Sequence, residues 1–340
     1  MSRVTSPALP APPQRILLVK TSSLGDVVHN LPVAADLARH FPGVAIDWCV
    51  EENFVDIPRL SGAVRETIPV ALRRWRRSLY SPDTWREIRE LRRRLQANTY
   101  DAVLDTQGLI KSAVLARLAP GLRLGYSHEA AREPWAARFY DATFTLPKNV
   151  HAVERNRWLA AAAFGYEPGD PLDYGIAPPA SSFPPPQTPG SATAVLFTAT
   201  SRDDKLWPEE HWTALGRALA EIPLAFVLPS GNPRERERAE RLAQALPEAV
   251  APPPLRLSEL AALLAQARLV IGVDTGLTHL AAALAVPTIA LYTATDPGLT
   301  GVYGVGPHLN LGGKNTPPEP EIVLAAARKM LAESGLEARS

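Results

Sequence analysis

The chain is poor in the features that would place it quickly. Of 340 residues one is a cysteine, Cys49, so an internal disulfide and a cysteine-ligated metal cluster are excluded. No apolar stretch approaches the roughly 18 residues that span a bilayer, so the chain reads as soluble or as resting on a membrane surface. Charge of one sign is not in excess: 36 Lys and Arg meet 35 Asp and Glu, a net charge of +1, which argues against a globally basic nucleic-acid binder. The first apolar strand ends in K-T-S-S-L-G-D (20–26) with the single Gly25, where a dinucleotide fold would carry G-x-G-x-x-G. That absence counts against a nicotinamide oxidoreductase. D-x-D, G-x-S-x-G and a phosphate-binding P-loop are also missing. The N-terminal leader lacks the apolar centre of a signal peptide.

Proline is abundant instead, 34 residues, and clustered, so it marks joints. The densest cluster, with six prolines between 175 and 193, lies near mid-chain. It divides the sequence into a disordered leader (1–14), an N-terminal domain (15–174), a linker (175–192), a C-terminal domain (193–318) and a terminal helix (319–340) free to pack back on the N-terminal domain. Both halves alternate short apolar strands with amphipathic helices. Strands are expected at 15–20, 45–50, 66–70 and 101–106, then at 193–200, 268–274 and 287–295. Helices are expected at 27–41, 82–97, 108–118, 151–165 and 208–222, with Pro32 kinking or delaying the first and Ser258 capping another. Such alternation predicts α/β domains with parallel sheets covered on both faces. Two of them in series predict two Rossmann-like domains facing across a cleft. Ligands of these sheets bind beyond the carboxyl ends of strands, so residues just after each strand are the candidates.

Asp26, after the first strand, reads either as a first-turn carboxylate satisfying a helix end or as a general base. Thr200, Ser201 and Lys205 follow the first strand of the second half. They suit a phosphate, unless Lys205 and Arg202 simply pair Asp203 and Asp204. V-D-T-G-L-T-H-L (273–280) is the strongest local pattern. A buried strand ends at Asp274 and a helix opens at Gly276, an anion seat to which Thr275 adds a hydroxyl and His279 a side chain one turn on. Glu235, in a first helical turn after a strand, could accept ribose hydroxyls or satisfy the helix dipole.

Residues 73–94 carry nine arginines against three acids, a local +6. Such runs are commonly solvated helix faces. Here Trp75 stands among four cations in R-R-W-R-R, which favours contact with phosphates of a lipid or a nucleic acid, and no nucleic-acid motif accompanies it.

These segments together carry a resemblance. RILLVKTSSLGDVVHNLP, DAVLDTQGLIKSA, AREPWA, HAVERNR, TSRDDKLWPEEHW, VDTGLTHLAAAL and YTATDPGLTGVYG, in order from about 15 to 330, resemble the lipopolysaccharide heptosyltransferases of glycosyltransferase family nine. R-R-W-R-R and T-S-R-D-D-K-x-W-P-E-E-H-W favour the type that adds the first inner-core heptose over the type that adds the second. One departure is Thr293-Ala294, where the family commonly has Gly-Pro. The resemblance implies the GT-B fold and inversion at the sugar, with no cofactor and no metal. It implies ADP-L-glycero-β-D-manno-heptose as donor, Kdo2-lipid A as acceptor, and a place on the cytoplasmic face of the inner membrane. It makes Asp26 the base and Lys205 a donor residue, whose charge is read as meeting the leaving diphosphate. Thr200, Ser201, Glu235, Leu255, Asp274, Thr275, Gly276 and His279 become donor residues. Arg73, Arg76, Arg77, Lys111 and Arg132 are expected at the acceptor. A non-catalytic sugar-nucleotide binder is the alternative outside the class.

Overall fold

A computed structural model describes residues 9, 11–169, 171–177 and 191–335. Most of the leader and of the Pro-rich segment (178–190) lies outside the described residues. The chain forms two compact units that divide between Ile176 and Ala177.

The first unit is built on one parallel sheet. Its strands are β1 (Arg15–Val19), β2 (Ala45–Glu51), β3 (Val64–Val70), β4 (Ala102–Asp105), β5 (Leu122–Tyr126) and β6 (Ala142–Phe144), in the order β3-β2-β1-β4-β5-β6. Ile16, Leu17, Leu18 and Val19 are consecutive and all fully buried, as a central strand covered on both faces requires. The apolar pattern over 27–41 predicted one helix. It forms two, Leu24–Val28 and Leu31–His40. Pro32 sits in the first turn of the second, where a missing N–H leaves no bond unmade. The helix Ala152–Phe164 starts at His151, whose side chain accepts from the Val153 N–H, and stops at Gly165, whose left-handed φ of 76° a side chain would resist. Inside it, Arg157 donates to Asp36 at 2.7 Å in a buried ion pair that ties this helix to Leu31–His40. Arg157 of the H-A-V-E-R-N-R motif is thus structural here.

Trp75 does not serve as a surface aromatic. It is buried in the core with Leu17, Val19, Ile68, Leu91 and Leu95, and its indole N–H donates to Glu87 at 2.7 Å. The helix Leu72–Arg77 needs one large apolar residue to fasten it, and Trp75 supplies it while the arginines point outward.

The second unit repeats the plan with β7 (Ala192–Phe197), β8 (Leu224–Val227), β9 (Ala249–Val250), β10 (Leu269–Val273), β11 (Thr288–Tyr292) and β12 (His308–Gly312), ordered β12-β11-β10-β7-β8-β9. Its C-terminal helix, Pro320–Glu333, buries Val323, Ala327, Met330 and Leu331 in this unit's own core, beside the helix Glu209–Leu219 and strands β10 and β11. It was left free in the sequence to return to the first unit, but its apolar stripe is used here. Ser258 is not a cap: the helix Leu257–Gln266 begins one residue earlier, after Arg256, whose N–H donates to Glu259. In each unit the strand order reverses beside the first strand, between β1 and β4 and between β7 and β10. Open α/β sheets bind ligands at such points.

Candidate active site

In the first unit the reversal point is held by side chains of the segment after β4. Asp105 accepts from the Gln107 N–H at 2.8 Å, the Gly108 N–H at 3.2 Å and the Tyr140 hydroxyl at 2.7 Å, which shapes the turn. Gln107 then clamps the loop after β1. Its Oε1 accepts from the Thr21 N–H and hydroxyl at 2.7 and 2.8 Å, and its Nε2 donates to the Ser22 carbonyl at 2.6 Å. The clamped loop presents Asp26. One carboxylate oxygen of Asp26 accepts from the Ser23 N–H at 2.9 Å and the Ser23 hydroxyl at 3.1 Å, and lies 3.6 Å from the Arg132 guanidinium. Lys111 donates to the Ser22 hydroxyl at 3.3 Å. Asp26, expected as the base, and Lys111 and Arg132, expected at the acceptor, gather here.

Lys20 was not singled out in the sequence and belongs with them. It is buried at the end of β1, and its ammonium donates to the Thr106 carbonyl at 2.9 Å. Burial, opposed by attraction to Asp26, pulls it down to about 8. Burial alone would push Asp26 up. Lys20, Arg132 and the two bonds from Ser23 outweigh it and hold Asp26 below its ordinary value. Asp26 is therefore ionised at neutral pH, with a quarter of its side chain exposed.

In the second unit the reversal point is organised by Asp274. One carboxylate oxygen accepts from the Lys205 ammonium at 2.7 Å and the Thr295 hydroxyl at 2.6 Å, and the other lies 3.7 Å from His279 Nε2. Its backbone carbonyl accepts from the Thr200 hydroxyl at 3.1 Å. Burial would raise Asp274, but the bonds from His279, Lys205 and Thr295 hold it well below the carboxylate range. Lys205 is thus fixed in place, not by Asp203 or Asp204 as the simpler reading had it. Those acids pair Arg234 and Arg202. An ammonium has three donors, so the bond to Asp274 leaves two for a ligand. Thr275 stands at the start of the helix Gly276–Ala283 without capping it by its side chain, so the first N–H groups keep their need for an acceptor. Thr295 was quoted in a motif but not selected from the sequence.

Thr200 also joins Ser201 and Glu235 in lining a cavity of about 330 Å³, with Asn232, Arg234 and Arg238. One Glu235 oxygen accepts from the Gly231 N–H at 2.8 Å, and the Glu235 N–H donates to Asn232 at 3.0 Å. Leu255 is half-buried in the segment before Leu257–Gln266 and does not line this cavity among the described residues.

The family model for glycosyltransferase family 9 (heptosyltransferase) matches residues 88–324. Lipopolysaccharide heptosyltransferase 1 of Escherichia coli K12 is 47% identical over 292 residues, covering 85% of this chain and 91% of that protein. The chain belongs to glycosyltransferase family 9, the heptosyltransferases. A further relative, lipopolysaccharide heptosyltransferase 1 of Pseudomonas aeruginosa, is 45% identical over 85% of this chain and 81% of its own length. The solved structure of Escherichia coli heptosyltransferase WaaC with ADP is 44% identical with a TM-score of 0.83, over 94% of this chain and 99% of that one. This heptosyltransferase has the GT-B fold, with its two Rossmann-like units in series. Its activity is heptosyl transfer in lipopolysaccharide inner-core synthesis.

The arginines expected at the acceptor are less closely tied to this heptosyltransferase's Asp26. Arg73 is fastened at the carboxyl edge of the sheet: its N–H donates to Glu51, the last residue of β2, and its guanidinium lies over Phe54. Arg76 and Arg77 are exposed on the same helix. Among the described residues no hydrogen bond or ion pair joins these three to Asp26.

Proposed function

We propose that this heptosyltransferase moves L-glycero-D-manno-heptose from ADP-heptose to Kdo2-lipid A, with inversion, as the first heptose of the inner core. The observation that supports it most is the likeness to an ADP-bound heptosyltransferase, 44% identical over 94% of this chain. A second solved relative, 42% identical, holds an ADP-2-deoxy-2-fluoro heptose. The heptosyltransferase II structure is 20% identical, a likeness of fold alone.

The chemistry follows from the two constellations. Asp26, ionised and partly open, removes the proton from a Kdo hydroxyl. The oxygen attacks the anomeric carbon from the face opposite the diphosphate, and the bond to the diphosphate oxygen breaks, so β becomes α. ADP departs with the electron pair. Lys205, already oriented by Asp274, and the N–H groups opening at Gly276 meet the charge that develops on it. Glu235 receives the ribose hydroxyls. Arg73, Arg76, Arg77, Lys111 and Arg132 hold the acceptor's phosphates and carboxylates. Among the described residues no helix is long and apolar enough to cross a membrane, and on this reading the protein works peripherally at the cytoplasmic face of the inner membrane.

ADP release measured with Kdo2-lipid A and with an acceptor already carrying one heptose tests the specificity. Turnover on the first and not the second is expected; the reverse preference would move the enzyme to the second-heptose type. Asp26→Asn preserves shape and removes the base, so turnover should fall roughly 100-fold or more while ADP affinity holds. Near-normal turnover would take Asp26 out of the catalytic role.

A further inference from the structure

The segment joining the helices Leu72–Arg77 and Pro82–Gln96 exposes apolar surface that its own construction keeps in place. Leu79 is 49% exposed, Tyr80 fully exposed and Trp85 51% exposed. They are not loose. The Trp85 indole N–H donates to the Leu79 carbonyl at 2.8 Å, the Ser78 and Thr84 hydroxyls meet at 2.9 Å, and the Ser81 N–H donates to the Ser78 carbonyl at 3.0 Å. Below the tip, Trp75 is locked into the core through Glu87. The braced tip therefore holds an aliphatic and two aromatic side chains out into solvent, with the one indole donor already satisfied.

The two helices that carry this tip are rich in arginine, against the acids Asp83, Glu87 and the exposed Glu90. Arg74, Arg86 and Arg94 pair Glu52 and Glu87, Asp83, and Glu66. Arg76, Arg77, Arg89, Arg92 and Arg93 are exposed and, among the described residues, have no carboxylate partner. An apolar tip flanked by unneutralised arginines matches an anionic bilayer in both respects. Trp and Tyr favour the headgroup level, and basic residues are drawn to the negative surface. A nucleic acid would use the cations and could stack on the rings. It has no use for an exposed leucine beside a tryptophan pinned by its own loop.

We propose that this hairpin is a membrane-docking element, in which Leu79, Tyr80 and Trp85 enter the headgroup region of an anionic bilayer while the flanking arginines meet lipid phosphates. The proposal rests on the reading that the acceptor is borne by a membrane, and it assigns the partner surface for it. Docking by one short apolar tip and a basic rim is reversible, as an enzyme visiting many acceptor molecules requires.

The test uses the full-length protein and vesicles of phosphatidylcholine with or without phosphatidylglycerol, whose negative charge attracts basic segments. Sedimentation should show binding to the anionic vesicles that falls with salt. Brominated lipid should quench tryptophan fluorescence in the wild type and not in Trp85→Phe. Leu79→Ser/Tyr80→Ser, whose side chains carry no core packing, should bind anionic vesicles roughly tenfold more weakly. Its melting temperature should be unchanged, as should turnover on a fully deacylated, water-soluble acceptor. Wild-type vesicle affinity in that variant, or no quenching at Trp85, overturns the proposal while leaving heptosyl transfer intact. RNA binding that displaces vesicles and is lost in the double variant also overturns it. Failure to turn over any Kdo-bearing acceptor, soluble or lipid-borne, would instead sink the functional reading and leave vesicle binding to be judged on its own.

Discussion

Lys20 shows what a single buried charge costs and supplies. Its ordinary value is 10.5 and burial takes it to about 8. Between those values the unfolded chain keeps the proton and the folded protein releases it, so stability rises with pH across that window. Below about pH 8 the folded protein carries the whole penalty, about 3 kcal/mol for a shift of that size, partly offset by the bond to Thr106. Lys20→Met should therefore raise the melting temperature at pH 7, and the advantage should vanish by about pH 10, near the ordinary lysine value. The same change removes a cation that holds Asp26 down. The acid limb of the kcat/KM profile should move to higher pH. Equal melting temperatures at pH 7 together with an unmoved acid limb would show that Lys20 is not coupled to Asp26. Asp26 was visible in the sequence as a carboxylate at a helix start after a strand, a pattern that left a capping acid and a base both open until the family resemblance chose the base. Lys20 was not, because nothing in K-T-S-S says that the lysine turns inward to a carbonyl 86 residues away.

At the scale of elements, the second site is a packing of one strand end against one helix start. Gly272 allows it: a Cβ there would stand 2.2 Å from the Thr278 hydroxyl and 3.1 Å from Phe197. Thr278 in turn donates to the Val273 carbonyl at 2.8 Å, which sets the helix Gly276–Ala283 against β10. Gly272→Ala should destabilise the protein by about 1–3 kcal/mol. It should also weaken ADP binding by displacing the helix start, and calorimetric melting with ADP titration checks both. An unaltered ADP affinity would separate the helix start from the nucleotide. The Asp274 hub gives a sharper case. Lys205→Ala should cut turnover by roughly 100-fold, and it also leaves a largely buried carboxylate short of a donor, a loss of about 1–3 kcal/mol. In Lys205→Ala/Asp274→Asn the stranded charge is gone and stability should largely return. If Lys205 meets the diphosphate, turnover stays low in the double variant; recovery of turnover would reduce Lys205 to a partner of Asp274. The sequence made V-D-T-G-L-T-H-L conspicuous and supplied the strands and helices around it, since buried runs and amphipathic spacing are local properties. It could not pair Lys205 with Asp274, 69 positions apart, nor bring in Thr295. It misread Trp75 and Ser258 for the same reason: a residue's type was visible, its neighbours were not.

On the scale of the whole molecule, the proposed mechanism divides the chemistry between the two units. The residues assigned to the donor, from Thr200 to His279, lie in the second unit, and those assigned to the acceptor, from Arg73 to Arg132, lie in the first. Each unit carries its own sheet and its own core, so an exposed change in the first should not reach the nucleotide site through packing. Arg76→Ala/Arg77→Ala removes two exposed cations that make no carboxylate pair among the described residues, so folding should be untouched. With a water-soluble, deacylated Kdo acceptor, vesicle docking plays no part, and any effect reports on the acceptor itself. Its KM should rise roughly tenfold, about 1.4 kcal/mol spread over two charge-assisted contacts. Exposed charge pairs are screened by salt, so the wild-type KM should climb with ionic strength and the variant's should climb less. ADP affinity should stay at the wild-type value. A parallel loss of ADP affinity would mean that the division between the units is not the one drawn. An unchanged acceptor KM at every salt concentration would remove these arginines from acceptor binding and leave them to the membrane alone.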